Sequence, residues 1–477
     1  MSTITLRDYQ SRAVNQCLQS FDDGARRIVL VAPTGAGKTV IAAAFVQALV
    51  RRGLKILFLA HRIELVEQAV ERLGVPVVQI IAGVKSVPRS QVYVASLATL
   101  VRREIPQVDV IVIDEAHHAA ANGYTKVIAA LPGAIVLGLT ATPCRLDDRG
   151  LGDVFEKIIV AAKVSSLIES GALVKPVVLS HPSEPDLAGV KRTGGDFNAE
   201  ELDARCNRAE IRGDIVGHWL ARASNRPTVV FAVSLAHSRA LVDDFARSGV
   251  AAVRVDGKMG STERNAAVAA VRNGSARVIV NVGILTEGWD FPALAVCVLA
   301  RPTESLSLLL QMWGRVMRPS PGKGEALVLD HAGNVLRHGL LPWTDIDWTL
   351  DFARPKKSKG AVRSLKNCPK CYFVVSGSTR TCPSCGHTWT PTSTFTVEKP
   401  SGELVAVDKL DVLRLAQQAI GKAQIYGGAK PSPSTLRWLK QIEEGKASEQ
   451  FLRLVIQSRG SIGKAAYKHN QIYGRWP

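Results

Sequence analysis

The feature that most restricts the fold is an alternation of short, almost wholly apolar runs with helical patterns, sustained from about residue 28 to residue 335. The first runs are Ile28–Val31, Ile56–Ala60, Val92–Ala95, Val110–Ile113 and Ile135–Leu139. Strands apolar at nearly every position are buried on both faces, as in a parallel sheet layered with helices. Helical patterns such as Val40–Arg52 and Ile63–Leu73 lie between them, as such a sheet requires. The pattern pauses over Pro176–Gly195, which is rich in proline, glycine and charge. It resumes at Val229–Val233, Ala252–Val255, Val278–Val282, Val296–Leu299 and Ala326–Leu329. Two α/β domains follow, with a boundary between 176 and 210.

A length of 477 residues suits about three domains. An apolar content of 46% and a mean hydropathy of +0.08 allow well-filled cores. No apolar stretch reaches the roughly 18–20 residues that cross a bilayer. The opening MSTITLRDYQ lacks a basic-then-apolar export pattern. The expected location is the cytoplasm of a bacterial or phage-infected cell. The net charge of +18 is uneven: residues 351–477 hold 21 Lys+Arg against 8 Asp+Glu, and the first 350 hold 39 against 34. A basic tail on a near-balanced body suits a polyanionic partner, because phosphate contacts by Lys and Arg release counterions; simple solubility is the blander account.

Chemistry concentrates first at Ala32–Thr39, APTGAGKT, between a strand and a helix. Thr34, Gly35, Ala36 and Gly37 form a loop whose backbone can approach phosphates. Lys38 can neutralise the β- and γ-phosphates, the Thr39 hydroxyl can hold Mg²⁺, and the helix N-terminus adds its positive end. The strand Val110–Ile113 then runs into Asp114 and Glu115, at the sheet edge where parallel sheets hold ligands. Asp114 is placed to hold Mg²⁺ through water and Glu115 to orient or deprotonate an attacking water. An acidic pair here could instead cap a helix.

Asp114-Glu115-Ala116-His117 resembles the DEAH signature of superfamily 2 helicases, and further motifs follow in that family's order. Leu6-Arg7-Asp8-Tyr9-Gln10 resembles the entry segment that reads adenine, with Arg7 and Gln10 as contact candidates. Ala60-His61-Arg62 and Val94-Ala95-Ser96-Leu97 resemble motifs that hold a nucleic-acid backbone. Leu139-Thr140-Ala141-Thr142-Pro143 resembles the coupling motif, to which His117 and Gln311 also belong by role. Thr286-Glu287-Gly288-Trp289-Asp290 resembles motif V, with Thr286 toward nucleic acid and Gly288 and Asp290 toward ATP. Gln311–Arg318, QMWGRVMR, resembles motif VI, and makes Arg315 and Arg318 the arginine-finger candidates. Pairing of these arginines with surface carboxylates is the alternative. The resemblance covers roughly residues 1–335 and implies two tandem RecA-like domains. The stretch TATPCRLDDRGLGDVFEKII with LIESGALVKP further resembles the RadD and XPB-like DNA repair branch.

Of eight cysteines, Cys17, Cys144, Cys206 and Cys297 are scattered, while Cys368, Cys371, Cys382 and Cys385 form two CxxC pairs. Two such turns complete a four-thiolate site for structural Zn²⁺, with no open position for substrate. His387 is redundant to it. Lys366, Lys370 and Arg380 surround the pairs. Tyr372, Phe373 and Trp389 could stack on bases or simply form the small module's core.

The expected organisation is domain 1 at 1–175, a linker at 176–205, domain 2 at 206–340, a basic linker at 341–362, a zinc ribbon at 363–392 and a basic helical tail at 393–477. The helical spacing there includes Leu413, Leu415, Ala419 and Ile420, and the aromatic end at Tyr467–Tyr473 and Trp476 could engage a protein partner. The implied activity is an ATP-dependent, nucleic-acid-stimulated helicase or translocase, acting on DNA in preference to RNA, in repair or recombination. A restriction-system motor and an ATP-switched clamp that does not unwind are the competing readings.

Overall fold

A computed structural model describes residues 5–389, apart from 85, 146–148, 181–184, 224, 287–288, 340 and 352–364, together with 440–441. The chain divides into two compact units, Met1–Thr390 and Pro391–Pro477. The tail helices and aromatic end anticipated beyond 393 lie almost wholly outside the described residues, as does Gly288.

The first sheet has seven parallel strands: β1 (Arg27–Val31), β2 (Ile56–Ala60), β3 (Val78–Ile80), β4 (Val92–Ser96), β5 (Val110–Asp114), β6 (Ile135–Thr140) and β7 (Lys157–Val160). Their order is β3-β4-β2-β5-β6-β1-β7. Helices α1 (Asp8–Asp22), α2 (Lys38–Arg51), α3 (Ile63–Leu73), α4 (Leu97–Leu100), α5 (Asn122–Ala130) and α6 (Val164–Glu169) connect them. Alternate residues of each strand feed opposite faces. Ile28, Leu30, Phe58, Val112 and Leu137 pack with Phe45, Val46 and Val66 of α2 and α3. Val29, Leu57, Ile111, Ile113 and Val136 pack instead with Tyr124, Val127 and Ile128 of α5. Near-continuous apolarity thus has its cause in two covered faces.

The second sheet is also parallel, in the order β12-β13-β11-β14-β15-β8. Its members are β8 (Pro176–Ser180), β11 (Thr228–Phe231), β12 (Ala252–Asp256), β13 (Val278–Val282), β14 (Val296–Leu299) and β15 (Ala326–Asp330). A hairpin of β9 (Arg192–Thr193) and β10 (Asp196–Phe197) precedes α7 (Ala199–Cys206) and α8 (Ala209–Arg222). Next come α9 (Leu235–Arg247), α10 (Ser261–Arg272), α11 (Leu306–Gly314) and α12 (Asn334–His338). Trp219 and Phe245 cover one face of this sheet, and Leu309, Met312 and Trp313 of α11 cover the other.

The segment 176–205 is not the bare linker expected. Pro176–Ser180 pairs with β15 as an edge strand, a position that tolerates proline at its first residue. Asp196 then fixes the hairpin to the second domain, accepting from Arg301 at 3.0 Å, the Thr303 hydroxyl at 3.0 Å and the Glu304 N–H at 2.8 Å. The described part of 341–362 also departs from expectation. Residues 341–351 carry Asp345, Asp347 and Asp351 and no Lys or Arg. They return across the first domain, where Ser165 donates to Asp345 at 2.6 Å and Gly152 N–H to the Leu350 carbonyl at 3.1 Å. The basic run RPKKSKG itself falls outside the described residues.

The cysteine module is a hairpin of β16 (Leu365–Asn367) and β17 (Val374–Ser376). It docks on the β8 edge through an antiparallel bridge between Leu179 and Phe373, and Ser180 N–H donates to the Tyr372 carbonyl at 3.1 Å. The exposed edge of the second sheet is thereby covered.

Candidate nucleotide cleft and cysteine centre

The phosphate-type loop leaves β1 and enters α2. Gly35 and Gly37 hold φ values of +90° and +80°, which a residue with a Cβ rarely adopts. Gly37 is the N-cap of α2, so the first N–H groups of the helix face outward over Lys38 and Thr39. The loop is braced from below by α1. The Tyr9 hydroxyl and the Gln10 amide donate to the Ala36 carbonyl at 2.7 and 3.1 Å. The Gln10 carbonyl in turn accepts from Arg7 N–H at 3.0 Å. Gln10, the expected base contact, is thus held against the loop.

Lys38 reaches across to Glu115, with Nζ and Oε1 2.6 Å apart. Glu115 is buried and adopts the left-handed backbone region at φ +50°, ψ +56°. For a non-glycine residue this costs on the order of 1–3 kcal/mol and is concentrated at functional sites. Asp114 closes β5 beside it. Burial, then the neighbouring Glu115 charge, push the Asp114 carboxyl up to about 6 against the opposing effect of Lys38. The buried Glu115, the half-buried Asp114 and one lysine form an anion-rich corner that a divalent cation would relieve, and Thr39 lines the same cleft.

The opposite wall comes from the second domain. Arg315, buried, donates Nη1 to the Trp289 carbonyl and Nη2 to the Thr286 carbonyl. Arg318 donates to the Asp290 carboxylate, and on the other side Arg72 of α3 donates to the second Asp290 oxygen at 2.6 Å. Burial would raise the Asp290 carboxyl, yet Arg318, Arg72 and Arg315 together hold it below the usual range. Between the walls lies a cleft lined by Thr34, Gly35, Gly37, Lys38, Thr39, Asp114, Glu115, Asp290, Gln311, Arg315 and Arg318, with Gln68 and Arg72. Arg72 and Gln68 are site residues that sequence reasoning missed. An arginine in the last turn of an amphipathic helix reads as a solvated group complementing the helix dipole.

The walls also touch directly. A Cβ on Gly314, the last residue of α11, would fall 2.1 Å from the Thr34 Cβ, so only glycine allows this approach. At the other end of α11, the Ser307 and Thr142 hydroxyls are 2.5 Å apart. Thr142 N–H donates to Thr140 Oγ1 at 3.1 Å, and His117 Nδ1 lies 3.4 Å from both Thr140 Oγ1 and Glu115 Oε2. A buried chain of contacts therefore runs from Glu115 through His117, Thr140 and Thr142 to Ser307.

His61, Arg62, Ser96 and Thr286 lie along the C-terminal edges of β2, β4 and β13. Ala60 and Ser96 are register partners, which sets His61 beside β4. Arg62 donates to the Ile284 and Gly283 carbonyls at 3.3 and 3.4 Å, and to His61 Nε2 at 3.2 Å. The His61 ring lies 4.6 Å from that of His118, which lies 4.1 Å from that of His117. Thr286 is buried, and its carbonyl is taken by Arg315.

The Sγ atoms of Cys368, Cys371, Cys382 and Cys385 all fall within 4.8 Å of one another, with Cys368–Cys385 and Cys371–Cys382 at 3.6 Å. Four thiolates about 2.3 Å from one tetrahedral zinc would be spaced about 3.8 Å apart, so the donor set fits that ion. Phe373 and Trp389 pack around the sulfur cluster, and Lys366 Nζ lies 4.0 Å from the centre of the Trp389 ring. Two of the three aromatics that could have stacked on bases are thus part of the module's small core.

Residues 3–145 match the family described as type III restriction enzyme, res subunit, and residues 212–320 match the helicase conserved C-terminal domain. A 51.5 kDa protein of a Lactococcus phage is 31% identical over 364 residues, covering 75% of this chain and 77% of its own. The chain belongs to the superfamily 2 helicases. It is accordingly an enzyme, an ATPase of the helicase type. Saccharomyces cerevisiae IRC3, named as an ATP-dependent helicase, is 33% identical over 358 residues, 70% of this chain. This helicase chain spans 52% of that yeast relative's length. A fragment assigned to the HsdR subunit of a type I restriction enzyme from Vibrio vulnificus shares the fold. Its TM-score is 0.56 at 24% identity, over 71% of this chain and 67% of that one. Among the described residues no helix is long and apolar enough to cross a membrane.

Proposed function

We propose that the chain is an ATP-driven DNA translocase or helicase whose hydrolytic site is the cleft between the two sheets. The observation that carries this reading is the meeting in one cleft of Lys38, Asp114 and Glu115 with Arg315 and Arg318. Lys38 neutralises the β- and γ-phosphates, and the loop N–H groups from Gly35 to Thr39 cradle them. Thr39 and Asp114 would hold Mg²⁺, which would supply charge neutralisation to the phosphates. Glu115, released from Lys38, accepts the proton of the attacking water. Arg318 delivers positive charge to the developing transition state. Arg315, with both Nη atoms given to backbone carbonyls, holds the motif V loop in place. The chain from His117 to Ser307 then carries the state of Glu115 to α11, and His61, Arg62, Ser96 and Thr286 serve the nucleic-acid side. The four cysteines would hold a structural zinc, and the basic tail adds affinity for the polyanion. On this reading the motor is cytoplasmic and its domains follow the bounds expected from sequence, with Pro176–Ser180 reassigned to the second sheet.

A role in repair or recombination is supported by the motif resemblance to the RadD and XPB-like branch and by an archaeal protein named DNA 3'-5' translocase XPB2. That relative is 30% identical over 151 residues. A second reading, the motor of a restriction system, is favoured by the restriction-type family match and by an Escherichia coli type I restriction subunit, 28% identical over 276 residues.

Phosphate release measured with single-stranded DNA, duplex DNA, forked DNA and RNA tests the reading. Stimulation by DNA above RNA, with strand displacement on the fork, is expected. Equal stimulation by RNA would overturn the assignment to DNA. Stimulation without displacement would leave translocation, and ATP-dependent cleavage with a partner subunit would favour the restriction motor.

A further inference from the structure

Helix α3 starts directly after Arg62 and ends inside the nucleotide cleft. Its apolar face, with Leu65, Val66, Ala69 and Leu73 buried, is fastened to the first domain. Its polar side reaches the second domain at both ends. Near the start, the Glu64 carboxylate accepts from Arg264 of α10 at 2.8 Å, beside the contacts of Arg62 with the Gly283 and Ile284 carbonyls. In the last turn, Arg72 holds Asp290 at 2.6 Å, and the other oxygen of Asp290 holds Arg318. Residues 64, 68 and 72 are four apart and share one face of the helix. An 11-residue helix is about 16 Å of stiff rod at 1.5 Å per residue.

We propose that α3 is a clasp between the domains, tying the nucleic-acid end of the interface to the nucleotide end, with Arg72 as a positioning residue for Arg318. The proposal rests on the cleft being the ATPase site. Arg72 sets the Asp290 carboxylate, and Asp290 sets the guanidinium that faces the phosphates. Neither Glu64 nor Arg264 is among the residues that line the cleft. Their pair is partly exposed, with side chains 41% and 26% accessible, so it contributes only about 0–1 kcal/mol to folding. It is therefore a probe of coupling that spares the fold.

The test uses the full chain and the variants Glu64→Arg, Arg264→Glu and their double reversal. Phosphate release is measured with and without a single-stranded DNA oligonucleotide, and thermal midpoints are recorded alongside. Each single reversal is expected to lower the DNA-stimulated rate about 5-fold or more, with basal rate and midpoint unchanged, and the double reversal to restore most of the stimulation. Arg72→Gln is expected to lower kcat about 10-fold with little change in KM for ATP, because the misplaced group acts on Arg318; Arg72→Lys should recover part of it. Single reversals stimulated like the wild type, or a double reversal no better than its parents, would overturn the clasp while leaving the motor intact. A KM effect without a kcat effect at Arg72 would make that residue a simple binding group. A wild-type chain that releases no phosphate would end both readings together.

Discussion

The two walls of the cleft are built by the same parallel-sheet logic yet hold their reactive groups differently. In the first domain Lys38 lies on Glu115, with the half-buried Asp114 beside them, while Arg72 reaches over to Asp290. The second domain parks its cations on local acceptors, Arg315 on two backbone carbonyls and Arg318 on Asp290. Lys38 must therefore leave Glu115 to meet a phosphate, whereas Arg318 is held at the cleft by Asp290, which Arg72 also holds. The difference also separates the two arginines. Arg315 is committed to two backbone carbonyls, and Arg318 to a carboxylate that Arg72 also holds.

The sharpest way to break this comparison is to truncate the two arginines in turn. Arg318→Ala should lower kcat by about 10³-fold with the thermal midpoint preserved, as expected for a cation delivered to phosphoryl transfer. Arg315→Ala should lose activity together with stability, because buried carbonyls of Thr286 and Trp289 lose their donor, at about 1–3 kcal/mol. Equal midpoints for both variants would erase the distinction. Gly314→Ala probes the contact of the two walls. Its Cβ would meet Thr34 at 2.1 Å, so kcat/KM for ATP should fall about 10-fold as the loop is displaced. Wild-type kinetics would mean that α11 and the loop separate freely. The smallest effect is expected at Cys382→Ser. Bound zinc should drop from one per chain to none by metal analysis, and the module should loosen from the β8 edge. DNA-independent hydrolysis should stay close to wild type, because the module touches the second sheet at its outer edge, away from the cleft.

Legibility followed the physics of each region. Strands buried on both faces, β1, β2, β5, β6, β13 and β14, showed as apolar runs within a residue of their observed ends, and the run for β11 overshot its end at Phe231 by two. The edge strands β3, β7 and β8 did not, because they are short or half-covered and Pro176 disguises the last of them, while the edge strand β12 was legible at Ala252–Val255. The loop geometry was readable because a tight turn into a helix demands glycine at fixed spacing, as at Gly35 and Gly37 with their positive φ. Arg72 and Glu64 were not, since their meaning depends on which domain their helix faces, and no local pattern encodes that. The acidic strap at 341–351 was hidden by the basic run beside it.

The account stands or falls on Glu115, where the strained backbone, the lysine contact and the coupling chain converge. Phosphate release by wild type and Glu115→Gln, with nucleotide binding measured on both, tests it directly. The account predicts retained ATP binding and a turnover lower by about 10²–10⁴-fold in the variant. A Glu115→Gln chain that hydrolyses ATP at the wild-type rate would contradict it.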